Sequence, residues 1–174
     1  DRDASGTMTP LPAPCIDTGM GLERICSVLQ DVESNYETDL FRPLMDRAGA
    51  MAGVTYGRDD ATNVALRVIA DHARATAFLI SDGIYPENEG RGYVLRRLMR
   101  RAIRFGNKLG LKGPFFTEIC LEACTLLAEP WPELVASRPV IERVAHQEED
   151  RFLRTLSSGM ELLEGAIEAT LARG

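Results

Sequence analysis

Residues 91–113, RGYVLRRLMRRAIRFGNKLGLKG, carry eight Lys/Arg and no acidic side chain. The 174-residue chain has a formal net charge of −6, so +8 on this segment leaves −14 on the remainder. Local asymmetry of that size points to a polyanionic partner more than to bulk solubility. Wound at about 100° per residue, residues 93–109 separate into two faces. Arg96, Arg100, Arg104, Arg97, Lys108 and Arg101 fall in that angular order within an arc of about 140°. Val94, Phe105, Leu98, Leu109, Ala102, Leu95, Met99 and Ile103 fill the other side. The pattern predicts a helix that packs on one face and offers guanidinium groups on the other, stopping at Gly106 or Gly110.

Nucleic acid fits such a face. Arginine forks match phosphate geometry bidentately, and about 25 Å of helix at 1.5 Å per residue tracks several phosphates. Tyr93 lies on the basic side, where an aromatic ring stacks on a base or ribose. The competing interpretation is a solvated basic face balanced by acidic neighbours elsewhere in the fold. An acidic protein surface or a membrane is a third, although a membrane-surface helix calls for a bulkier apolar face.

Outward from this segment the chain reads as helices. Residues 62–81 are apolar nearly all round, with Arg67, Asp71 and Arg74 on a narrow strip, which describes a central helix. His72 projects onto its apolar side and reads as a satisfied core histidine. Residues 115–128 and 139–173 form two more helices. The last carries Ile141, Val144, Glu148, Phe152, Leu156, Met160, Leu163, Ile167 and Leu171 on one seam, weakened at Gly159 and Gly165 by about 1 kcal/mol each. Upstream, Leu22, Ile25, Cys26, Leu29 and Val32 repeat at helical spacing, as do Leu40, Phe41, Leu44, Met45 and Ala48 behind a Thr38 cap. Residues 33–36, 49–57 and 82–90 are loops. Residues 1–14 are rich in Asp, Gly, Pro and Thr, the prolines of Leu11-Pro12-Ala13-Pro14 hold that stretch extended, and residues 15–17 read as the end of a short strand. The expected fold is mainly α, a helical bundle with a short N-terminal β remnant.

With 45% apolar residues the chain buries a real core. No stretch approaches the 18 apolar residues of a membrane span, and no signal peptide precedes residues 1–3. The chain lacks an initiator Met, so it reads as a piece of something longer. Its four cysteines have no framework spacing, which predicts reduced, partly buried thiols in a cytoplasmic protein. With two histidines and no C-x-x-C, no metal site is expected.

A second place for chemistry is DTGMGLER, residues 17–24. Glycines between a strand and a helix let a ligand approach the backbone, and a helix N-terminus favours anions. Arg24, one turn in, reaches a phosphate with a planar fork, and Asp17 accepts from an ammonium group. The full G-x-G-x-x-G fingerprint is absent because Arg24 occupies its third glycine position. Alone, the stretch is equally an ordinary tight turn.

Together these segments resemble a known family. DTGMGLER is similar to the third signature motif of class II aminoacyl-tRNA synthetases, in the form found in alanyl-tRNA synthetases. The resemblance continues through Ser34-Asn35-Tyr36 with residues 38–41, then RVIADH (67–72) and NEGRGYVLRR (88–97), and Gln147-Glu148-Glu149 with Phe152 and Thr155-Leu156. It covers nearly the whole chain in order. It implies that residues 1–60 end the catalytic domain and residues 61–174 form part of the helical tRNA-recognition domain. It further implies that Gly21 and Arg24 bind ATP, with Arg24 catalytic at the triphosphate, and that Asp17 and Gly19 bind alanine. Asn88 would read a G–U wobble pair in the acceptor stem, and Arg91, Arg96, Arg97, Arg100 and Arg104 would contact tRNA. The implied activity is ATP-dependent joining of alanine to the 3′ end of tRNA, with Mg2+ accompanying ATP. The family's first two motifs, the partner aspartate for the wobble pair and the editing domain are not in these residues, so the segment alone is expected to be inactive.

Two other function classes compete. One is a non-catalytic helical RNA-binding module, against which Asp17, Gly19 and Arg24 together argue. The other is a protein-interaction bundle built on the C-terminal seam. Salt separates them, because binding to phosphates weakens with log[salt] whereas an apolar seam hardly responds.

Overall fold

The computed structural model describes residues 2–172; Asp1, Arg173 and Gly174 lie outside the described residues. Six α-helices follow one another among the described residues: α1 (Leu22–Leu29), α2 (Arg42–Ala52), α3 (Asp60–Ser81), α4 (Gly90–Lys108), α5 (Phe116–Leu126) and α6 (Pro132–Leu171), with a 3-10 turn at Asn35–Glu37. The helical expectation holds and the β remnant does not. Residues 15–17 form no strand, and Ile16 is 98% exposed. The one β-type pairing among the described residues is an isolated antiparallel bridge between Arg2 and Met8. An extended segment becomes a strand only when a second one takes up its N–H and C=O groups, and residues 15–17 have no such partner here.

α3 is the axis of the bundle and packs against α2, α4, α5 and α6. Its start is set by Asp59, whose carboxylate accepts from the Thr62 N–H (2.7 Å) and hydroxyl (2.9 Å). Satisfying an otherwise orphaned first-turn donor in this way stabilises a helix by about 1 kcal/mol. Leu66, Ile69, Ala70, Ala73, Ala77 and Ile80 of α3 meet Leu95, Met99, Ala102 and Ile103 of α4, all buried. Each fully buried Leu, Ile or Met contributes about 1.5–3 kcal/mol. Phe41, Leu44, Met45 and Ala48 belong to the same core, so α2 shares it with α3–α6. Thr38 does not cap α2 with its side chain: its hydroxyl donates to the Asn35 carbonyl at 2.7 Å instead. α2 also runs past Gly49 to Ala52.

The last helix is longer than its sequence suggests. It begins at Pro132 and passes straight through Pro139. Both prolines suit a first turn, where a missing N–H costs nothing, and Pro132 holds that position. Pro139 deprives one interior carbonyl of its donor, and packing of Leu134 and Ile141 on either side keeps the helix continuous. Arg173, to which the predicted helix extends, lies outside the described residues. The seam is buried only in its first half. Met160, Leu163, Ile167 and Leu171 are exposed.

His72 is buried but only half satisfied. Its Nδ1 donates to Asp71 Oδ2 at 2.8 Å, while Nε2 has no hydrogen-bond partner. All four cysteines are free, and burial pushes the Cys120 thiol far up. No helix among the described residues is long and apolar enough to cross a membrane.

Candidate functional site

The basic arc of α4 is divided between two environments. Arg96 is only 12% exposed and faces Glu148 of α6, its Nε 3.4 Å from Oε1. Arg100 Nε donates to the same oxygen at 2.7 Å, with its guanidinium 5.2 Å from the Phe152 ring. Glu148 itself is 4% exposed, and Arg151 Nη1 stands 3.8 Å from its other oxygen. Taking a carboxylate out of water is tolerable only where opposite charges meet it. One end of the arc therefore clamps α4 to α6.

The other end of the arc is open. Arg97, Arg101, Arg104 and Lys108 are exposed, as is Arg91 outside the arc in the first turn, and none of them joins an ion pair among the described residues. Several rest on rings of their own helix: Arg97 on Tyr93 (5.7 Å), Arg101 and Lys108 on Phe105 (5.9 and 5.2 Å). A cation held by a ring keeps its N–H donors free for another acceptor.

Asn88 precedes α4 in the loop that folds back over its first turn. Its amide oxygen accepts from Arg96 Nη1, and Arg96 Nη2 donates to the Pro86 carbonyl at 3.0 Å. This close approach requires glycine at 92, because a Cβ there would strike the Tyr85 carbonyl and the Glu87 side chain.

Asp17, Gly19, Gly21 and Arg24 are all exposed. Gly21 has φ 82°, a left-handed value that glycine adopts at no steric cost, and it turns the chain into α1. α1 has no buried residue. It is tied to the bundle through Glu23, which accepts from Arg74 of α3, while the Arg74 guanidinium lies 4.2 Å from the Phe41 ring. That hydrogen bond from Arg74 holds the Glu23 carboxyl below its ordinary range. Gln30 and Asp39 fix the other end, the Gln30 amide donating to Asp39 at 2.7 Å.

Asp71 lies between the two regions. The hydrogen bond from His72 lowers its carboxyl pKa, and Arg74 and Arg101 add to the effect. Asp71 is also within electrostatic reach of Glu23. Asp71 of α3 thus feels charges from both α1 and α4, while Arg96 and Arg100 lie toward α6.

The clamp residues Glu148 and Glu149 carry no role in the sequence reading. Glu149 is fully buried and accepts from the backbone N–H groups of Phe115 (2.7 Å), Phe116 (2.6 Å) and Thr117 (3.0 Å), and from the Thr117 hydroxyl at 2.7 Å. A buried carboxylate at a helix N-terminus satisfies donors that the helix cannot. For Glu148 the signal was present: it is the one acidic residue on an otherwise apolar seam.

Comparison with known proteins assigns the class. The family model described as tRNA synthetases class II (A) matches residues 1–173, and the chain belongs to that family. Its relatives point to a particular member. The alanine–tRNA ligase of Acidithiobacillus ferridurans is 55% identical over 174 residues, 100% of this chain and 20% of that protein. The alanine–tRNA ligase of Desulfosudis oleivorans is 52% identical over 174 residues, 100% of this chain and 20% of that protein. That of Methylococcus capsulatus is 52% identical over 167 residues, 96% of this chain and 19% of that protein. The chain thus spans about a fifth of the length of the curated relatives it matches.

Proposed function

We propose that this segment belongs to a cytoplasmic alanine–tRNA ligase, in which residues 1–60 close the catalytic domain and residues 61–174 begin tRNA recognition. The whole ligase joins alanine to the AMP part of ATP, which enters as its Mg2+ complex and releases pyrophosphate, and then passes alanyl to the tRNA 3′ end as AMP leaves. The observation that supports this most directly is the row of exposed cations on α4, Arg97, Arg101, Arg104 and Lys108, in no ion pair among the described residues.

In the first step a carboxylate oxygen of alanine attacks the α-phosphorus and pyrophosphate leaves. Arg24, exposed and in no ion pair among the described residues, would meet the leaving phosphates. A fixed cation there offsets the charge that develops as the bond breaks. Asp17 would receive the α-ammonium of alanine, Gly19 would keep room for a methyl side chain only, and Gly21 lets the nucleotide approach the backbone. In the second step the terminal ribose hydroxyl attacks the alanyl carbonyl and AMP departs. Arg91, Arg97, Arg101, Arg104 and Lys108 hold the acceptor stem by its phosphates, and Asn88 meets the base edges of the wobble pair. Arg96 and Arg100 pair with Glu148, and Arg100 keeps 34% of its side chain exposed beside the others.

Arg24→Ala in the full-length ligase tests the reading. ATP–pyrophosphate exchange driven by alanine should fall by about 10²-fold or more, as for loss of one transition-state charge contact. Exchange at the wild-type rate would remove Arg24 from the site and favour a segment that only binds RNA.

A further inference from the structure

Asn88 is not free to present either end of its amide. Arg96 has five N–H donors and no acceptor, so the atom facing it can only be the Asn88 oxygen. The amide nitrogen is left outward on an exposed side chain and makes no hydrogen bond among the described residues. Arg96 makes two hydrogen bonds and one ion-pair contact, its buried Nε making no hydrogen bond. Nη1 goes to Asn88, Nη2 to the Pro86 carbonyl at 3.0 Å, and Nε lies 3.4 Å from buried Glu148. Glu148 also lies against a groove of about 350 Å³ that separates Tyr85 and Pro86 from α6.

We propose that Arg96, backed by Glu148, is a positioning residue that locks Asn88 as a hydrogen-bond donor toward the RNA. This rests on the reading of Asn88 as the side chain that meets the acceptor stem. A donor directed at an RNA minor groove meets base N3 or O2 atoms or a ribose 2′ oxygen, all acceptors. Specificity then follows from direction as much as from residue type. An amide free to rotate would offer its oxygen as readily as its NH2 and accept a donor on the wrong pair.

The test uses the full-length ligase and two short acceptor-stem RNAs that differ only in carrying a G–U wobble or a Watson–Crick pair at the recognised position. The readout is the ratio of their aminoacylation kcat/KM values, which cancels any general loss of activity. Asn88→Ala sets the size of the full effect. Asn88→Asp keeps and strengthens the contact with Arg96 but replaces the outward NH2 by an oxygen. Arg96→Lys keeps the charge but cannot span three partners with one ammonium. Each of these two variants should lower the ratio by about tenfold or more, the value of one good base-edge contact.

Arg96→Lys with an unchanged ratio, where Asn88→Ala has abolished it, overturns the positioning role and leaves the reading of Asn88 standing. Asn88→Asp with an unchanged ratio overturns the donor assignment. An unchanged ratio in Asn88→Ala removes the reading itself. If Arg96→Lys fails to fold in a thermal melt, Arg96→Gln, which also cannot hold all three partners, takes its place for the positioning role, and Asn88→Asp, an exposed change, decides the donor assignment.

Discussion

Arg96 and Arg100 lie on the edge of α4 that faces α6, and their guanidinium groups are engaged by Glu148. Arg97, Arg101 and Arg104 lie on the same helix within the same arc, yet none of them forms an ion pair among the described residues, and only a longer-range pull on Asp71 reaches Arg101. The first pair stabilises the fold and the second set is available to a partner. What divides them is the position of α6, not anything in the arginines themselves. A helical wheel says which side chains share a face, but the neighbouring helix decides where that face becomes interior.

The contrast can be broken from the buried side first. Glu148→Ala leaves Arg96 and Arg100 facing one another without a counter-charge, and breaking a buried pair in this way costs about 3–5 kcal/mol. A denaturant titration should show the midpoint falling with little change in slope. If the midpoint stays put, Glu148 is not holding α4.

Reversing the open edge should do the opposite. Arg97→Glu with Arg101→Glu should change stability by no more than about 0.5 kcal/mol per site. Affinity of the full-length ligase for tRNA should fall, and the log–log salt slope should flatten by about one unit for each phosphate no longer neutralised. The same reversal at Arg96 and Arg100 would report on folding instead, because those charges face Glu148. An unchanged salt slope in the Arg97/Arg101 variant would leave the open edge without an RNA role.

The smallest effect concerns the tie between α1 and α3. The Glu23 carboxyl is held below its ordinary value by Arg74. A depressed carboxylate contributes stability above its unfolded pKa and loses it as pH falls through the folded one. Hydrogen-exchange protection of α1, which has no buried residue, should therefore drop below about pH 4 while the α3–α4 core stays protected. Arg74→Ala should produce the same selective loss at neutral pH. Equal loss in both regions would mean that α1 is not held separately.

Much of this architecture is legible from the chain alone, and the reasons for the failures are specific. α3 and α4 are readable because a periodicity of 3.6 survives over 22 and 19 residues. The expected strand at residues 15–17 fails because strands are made by partners, and a local pattern cannot supply one. The start of α6 is misplaced because two prolines seven residues apart both resemble a first turn, and only packing chooses between them. Asn88 and the arginines of α4 are singled out in the sequence by type and position. The ties of Arg96 and Arg100 to Glu148 are not, because they join residues 52 and 48 positions apart, and the Asn88–Arg96 contact crosses a loop whose path Gly92 alone permits.

Glu148 and Glu149 have one further consequence. Consecutive residues on α6 lock two different helices, one through the guanidinium groups of α4 and the other through the first backbone amides of α5. Sliding α6 by a single residue, about 1.5 Å along its axis, would undo both catches together, so this turn behaves as a keyed joint. Beyond it the helix runs unbroken to Leu171, a spar of roughly 33 Å at that rise. Torque applied to its far end is delivered at the joint, one arginine away from Asn88.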